Sequence, residues 1–149
     1  MAIPAPAIST ITVNAPTAIA SVGTLVMLGL AGSITPQATG RVLVICTGVV
    51  GNTTAAGDGV SFQLSYGTGT APTNAATLTG TQVGALKAFV GSTTAGQQGF
   101  ACSWIITGLS VPGSGGATTT TTYWLDLAVE AITGGGAVLK NVDLVAIEI

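Results

Sequence analysis

Histidine is absent from the 149 residues. That removes the commonest general base and metal ligand, and with it the usual serine and cysteine triads. Acid–base work would fall to carboxylates. Asp126 and Glu130 stand four apart in "YWLDLAVEAI", on one face of an expected strand and about 13 Å apart. Glycosidase carboxylates lie closer than that, so both are expected to be solvated or paired with Lys140 across a hairpin. Asp58, in "AAGDGV", is a single carboxylate where calcium needs several oxygen ligands; it reads as a turn. Cys46 and Cys102 form no CxxC motif. They read as buried free thiols, with a disulfide between strands as the alternative that sequence does not fix. Trp104, Tyr123 and Trp124 could form a sugar-stacking platform, although large aromatics in strands more often serve a core or an interface. "GSGG" at 113–116 lacks the GK[ST] ending of a phosphate loop. "NTT" at 52–54 matches a glycosylation acceptor, but no secretion signal accompanies it. The chain is read as a non-enzyme, with no catalytic, cofactor or metal residue assigned.

Charge is scarce. Arg41, Lys87, Lys140, Asp58, Asp126, Glu130, Asp143 and Glu148 are the eight charged residues, 5% of the chain, where globular proteins carry about 25%. Three cations and a net charge of −2 leave no basic footprint, so nucleic acid is not expected as a partner. A folded monomer of this size exposes roughly 6,800 Å², and so few charges oppose association weakly. The apolar fraction of 48% is enough for a core, and the length suits one domain. Residues 18–34, "AIASVGTLVMLGLAGSI", approach the length of a membrane span. Gly23, Gly29 and Gly32 weaken that segment as a helix, and it is read as strand, with no membrane partner expected.

Turn signals cut the chain into short runs: 24–31, 41–51, 60–67, 82–90, 99–108, 120–132 and 137–149. β-branched residues and glycine abound, and no amphipathic helix is evident. The last two runs, joined by "TGGG", read as the clearest hairpin. In 60–67, Phe62, Leu64 and Tyr66 alternate with Ser61, Gln63 and Ser65, as a half-solvated strand does. The expected fold is all-β, with about eight short strands over 21–149 forming a sandwich, a barrel or a jelly roll. Residues 1–20, spaced by Pro4, Pro6 and Pro16, form an extended N-terminal arm.

Other runs are apolar on both faces. In "GRVLVICTGVVG", Val42, Val44, Cys46 and Val50 oppose Leu43, Ile45 and Val49. In 124–132, Leu125, Leu127 and Val129 oppose Trp124, Ala128 and Ile132. In the last run Val142, Leu144 and Ala146 oppose Val145, Ile147 and Ile149. Copies of the same chain are expected to cover the second faces, and the C-terminal strand to lie inside the structure near an interface. Candidate interface residues are Val42, Val44, Leu127, Val129, Leu144, Val145, Ile147 and Ile149.

The stretches "GRVLVICTGVVGNTTAAGDGVSFQLSYGTGTAP", "ITGLSVPG" and "TTTYWLDLAVEAITGGGAVLKNVDLVAIEI" resemble small jelly-roll proteins of tailed-phage virions, similar in strand order to trimeric tumour-necrosis-factor or C1q-like domains. The resemblance covers roughly 20–149 and rests on strands and glycine turns. It implies an antiparallel jelly-roll sandwich of about eight strands with an extended N-terminal arm, and a homotrimer located on the virion, as a capsid decoration or cement protein. Its partners would be its own copies and the major capsid protein or another virion protein. The arm residues Ile3, Pro4, Pro6, Ile8, Ile11 and Val13 are the candidates for binding the shell. A receptor- or carbohydrate-binding module, using loops 68–81 and 108–120 and exposed aromatics, is the alternative.

Overall fold

The structure, a computed structural model, describes residues 5–13, 17–19, 23–52, 59–90, 97–113, 120–132 and 137–149. Every regular element among them is a strand: β1 Ile8–Val13, β2 Thr17–Ile19, β3 Val26–Met27, β4 Gly32–Ile34, β5 Val42–Asn52, β6 Gly59–Thr68, β7 Thr81–Val90, β8 Gln97–Ile106, β9 Tyr123–Ala131 and β10 Ala137–Glu148. β-branched and aromatic residues fill the long strands, where their stiff side chains suit a pleated surface.

Two antiparallel sheets pack face to face. The first runs β1-β10-β5-β8, and the second β3-β9-β6-β7. β2 continues β1 along β10, and β4 continues β3 along β9. Each sheet is therefore four strand positions wide. Of the long strands, only β6 and β7 are chain neighbours that also pair. From β5 to β6, β7 to β8, β8 to β9 and β9 to β10 the chain crosses to the other sheet, which is the winding of a jelly roll.

That winding corrects one expectation. β9 and β10 do not form a hairpin: β9 pairs with β6, and β10 with β5. A short glycine-rich connection suits a hairpin equally well, so local sequence did not separate the two outcomes. The run 24–31 is also divided, because the backbone leaves β9 between β3 and β4. Within the segment read as an arm, β1 and β2 form the edge of the first sheet, with Ile8 opposite Ile147 and Val13 opposite Val142.

The core lies between the sheets. Val42, Val44, Cys46, Leu144 and Ala146 of the first sheet meet Phe62, Leu64, Leu125, Leu127 and Val129 of the second, all buried. Phe62 packs against Phe100 and Trp104 across the gap, with ring centroids 4.8 and 6.4 Å away, and stacks on Phe89 at 5.2 Å. Aromatic contacts of this kind add to the burial energy. The exposed surface is 6987 Å², close to that of a compact monomer of this size.

Candidate assembly face

The outer faces of the two sheets have different fates. Over β9 the second sheet's is covered by its own chain, whereas β7 at its edge leaves Leu86 45% and Val90 42% exposed. Met27, Trp124 and Ala128 form a small second core there, with Leu25, Ala71, Ala76 and Leu78 packed on it. The loop after β6 is sewn down by Met27 N–H to Ala76 O and Ala75 N–H to Met27 O, both 2.9 Å. Ser65 donates to Thr79 O at 2.6 Å, and the Trp124 indole donates to Thr68 O at 3.2 Å. Gly80 has φ +82°, and a Cβ there would collide with the Trp124 ring and the Tyr66 carbonyl.

Asp126 lies beneath this cover. It is fully buried, on the β9 face that carries Trp124 and Ala128. One carboxylate oxygen accepts the N–H of Leu30 at 2.9 Å and of Leu127 at 2.8 Å; the other accepts Gly29 N–H at 2.9 Å. The carboxylate thus replaces the strand partners that the backbone loses between β3 and β4, where Gly29 takes φ +81°. Burial pushes its pKa above the ordinary carboxylate value, against the three N–H donors that lower it. Asp126 is therefore neither solvated nor paired with Lys140. β10, which carries Lys140, lies in the other sheet.

The first sheet's outer face has no such cover among the described residues. Cross-strand register sets Ile8, Ile147, Leu43 and Ile105 side by side across all four strands. The next row is Thr10, Val145, Ile45 and Ser103. Ile8 is 70% exposed, Ile105 50% and Ile45 36%, while Leu43, Val145 and Ile147 are half-buried. Further along β10 charge enters this face, at Asp143 opposite Thr47 and at Lys140 opposite Val49.

The structure divides the candidate interface residues into two groups. Val42, Val44, Leu127, Val129 and Leu144 are buried between the sheets of one chain, so they offer no surface to a copy. Alternation alone does not say which face of a doubly apolar strand looks inward. Val145 and Ile147 lie in the aliphatic rows, and Ile149, beyond β10, is 45% exposed. The second apolar face of β9 is filled by the loop after β6 and by residues 25–28, rather than by another subunit. Of the arm candidates, Pro6 and Ile8 are exposed, Ile11 and Val13 stand opposite Leu144 and Val142, and Ile3 and Pro4 lie outside the described residues. Asp58 and residues 53–54 of "NTT" lie outside them as well, as do residues 114–116 of "GSGG".

The aromatic platform is not formed. Trp104 and Trp124 are both buried, with the Lys87 ammonium 5.7 Å from the centre of the Trp104 ring. Tyr123 is half-buried, and its hydroxyl accepts Ser110 N–H at 3.0 Å. Cys46 is buried and Cys102 partly so, both as free thiols. Among the described residues no three His, Cys, Asp or Glu side chains converge.

One site went unread in the sequence. Glu148 ends β10 and is 3% exposed. Its carboxylate accepts N–H groups from Gln37 at 2.8 Å, Ala38 at 2.8 Å, Thr39 at 2.7 Å, Gly40 at 3.0 Å and Ala7 at 3.2 Å. Burial works to raise its pKa, but the donors from Gln37 to Gly40 outweigh it and hold the group at about 2. Successive amides converging on an anion make a nest. Here the anion is the protein's own, and it ties the start of β1, the turn before β5 and the end of β10 together. The alternation of Val142, Leu144 and Ala146 already places Glu148 on the inward face, which was the available signal.

No protein-family model matches the chain, and no curated protein matches it. Among solved structures it is similar to a chain in "Structure of infectious bursal disease virus Gx strain", at 16% identity and a TM-score of 0.44. The similarity covers 95% of this chain and 32% of that one, so this chain spans less than a third of that chain's length.

Proposed function

We propose that the protein is a non-enzymatic structural component of a virus particle, a homotrimer that decorates or cements a phage capsid. The observation that carries the assembly part is the contrast between the two outer faces. One is closed over β9 by the chain's own loop, and the other presents the aliphatic row Ile8, Ile147, Leu43, Ile105 across all four of its strands. Monomers seldom leave contiguous apolar surface of that kind unless it meets a partner. A surface so poor in charge supports the same reading, because little repulsion opposes packing of copies. The jelly-roll order and the resemblance to small virion proteins support the trimeric and phage parts, with exposed Pro6, just before β1, available to a shell. The carbohydrate-binding alternative loses its support, since both tryptophans are buried.

The test is sedimentation of the purified chain beside the double variant Ile45→Lys, Ile105→Lys. The wild type is expected to sediment as a trimer and the variant as a folded single chain. Equal sedimentation of the two would remove this face as the interface. On particles that carry the protein, deletion of residues 1–18 is expected to abolish attachment; unchanged attachment would remove the arm.

A further inference from the structure

Two cysteines 56 positions apart face one another. The β5–β8 register sets Cys46 directly opposite Cys102. Both point to the side of Val44 and Trp104, into the edge of the core. The Cys102 sulfur lies 3.8 Å from the Cys46 carbonyl oxygen. Directly opposed residues of an antiparallel pair have Cα atoms about 4.5–5.5 Å apart, within the range of about 4.4–6.8 Å that disulfides span. Cys46 is fully buried, whereas Cys102, on β8 at the edge of its sheet, is partly open.

We propose that Cys46 and Cys102 are a reversible redox pair, closed to a cross-strand disulfide by a low-molecular-weight disulfide and reopened by thiols. The two sulfurs have distinct roles. Cys102 is the attacking thiolate because it is partly open where Cys46 is fully buried; the hydrogen bond with Cys46 lowers its pKa against burial, and the positive charge of Lys87 adds to the lowering. Cys46 is the resolving thiol. Its own pKa is pushed up by the same hydrogen bond, by burial, and by the negative charges of Cys102 and Asp143. With oxidised glutathione, the Cys102 thiolate attacks one sulfur, the glutathione S–S bond breaks, and one glutathione thiolate departs. The Cys46 sulfur then attacks Cys102 Sγ. The second glutathione leaves with the proton from Cys46. One protein disulfide forms, one glutathione disulfide is consumed, and the electrons end on two glutathione thiols. Opposed strand residues hold their Cβ atoms about 4.5–5.5 Å apart, wider than the roughly 3.5–4.5 Å of a relaxed disulfide. Closing the bridge must draw β8 towards β5, and strained bridges reduce readily.

The test incubates the folded full chain with oxidised glutathione, followed by acid quenching, alkylation and peptide mass spectrometry. The expected result is joint loss of both alkylatable thiols and a peptide carrying Cys46 linked to one carrying Cys102. A glutathione adduct on Cys102 precedes the bridge, and dithiothreitol reverses it. Cys46→Ser is expected to trap that adduct. β8 also carries Ile105 of the face proposed for assembly, so the Ile45→Lys, Ile105→Lys chain is run in parallel. Bridging in that chain alone still supports the pair and shows that assembly shields β8 in the wild type. Thiols that stay unreacted in both chains overturn the proposal. So does a glutathione adduct on wild-type Cys102 that never resolves, and this outcome is readable even if Cys46→Ser does not fold.

Discussion

The Glu148 carboxylate sits 2.7 Å from the backbone nitrogen of Thr39, 109 positions earlier in the chain. Glu148 is 3% exposed, and its charge is balanced by backbone N–H groups with the Thr39 hydroxyl at 3.4 Å. A carboxylate held down to about 2 from 4.5 contributes stability that is fully present above its unfolded pKa. That contribution is lost as pH falls from about 4.5 towards 2, and its size is on the order of 2–3 kcal/mol. Glu148→Gln is expected to lower stability by about 2–4 kcal/mol at pH 7, because the amide keeps one acceptor oxygen and sets a donor against donors. Urea denaturation from pH 7 to pH 2.5 checks this: the gap between wild type and variant should narrow as the pH falls. A gap independent of pH would show that ionised Glu148 is not what the loop requires.

Asp126 predicts the opposite slope. Its pKa is raised in the folded chain, so the folded state binds the proton more tightly. The burial penalty is present at neutral pH and is relieved as pH falls through the raised folded pKa. Asp126→Asn removes that pH dependence. It also leaves two acceptor oxygens as one, with Gly29, Leu30 and Leu127 N–H groups to satisfy. An unsatisfied buried N–H costs about 1–3 kcal/mol, and the variant is expected to be less stable by that amount at pH 7. Chemical denaturation of the two chains at pH 5 and pH 7 checks it. A variant as stable as wild type at pH 7 would show that Asp126 does not hold the break between β3 and β4.

Gly80→Ala is expected to destabilise the fold by about 1–3 kcal/mol. The new methyl group meets the Trp124 ring from a backbone with φ +82°. Trp124 fluorescence during thermal unfolding provides the readout, with an earlier transition and a more solvated emission in the native baseline. An unchanged transition would mean that the loop over Trp124 moves aside without loss.

Strands were the most legible part of the sequence. β5, β6 and β8 are dense in branched and aromatic residues between glycine turns, and local pattern locates them within one or two residues. Partnership was not legible. β9 and β10 are each apolar on both faces, so their pattern carries no mark of which sheet they join, and the glycines between them suit a hairpin or a crossover alike. For the same reason Val42 and Leu127 looked available to a copy when each is buried within one chain. The two buried carboxylates were partly legible. Glu148 shares the alternation of Leu144 and Ala146, and Asp126 that of Trp124 and Ala128, so each sits in an apolar series. What sequence does not contain is that N–H groups at 37–40 and 29–30 converge on them, because that convergence is made by tertiary structure.

The molar mass of the purified chain, measured by light scattering over a range of concentrations, tests most directly whether the row of Ile8, Ile147, Leu43 and Ile105 is an interface. A mass of three chains, falling to one in the Ile45→Lys, Ile105→Lys variant, is the predicted result. A wild-type mass of one chain at every concentration would contradict it.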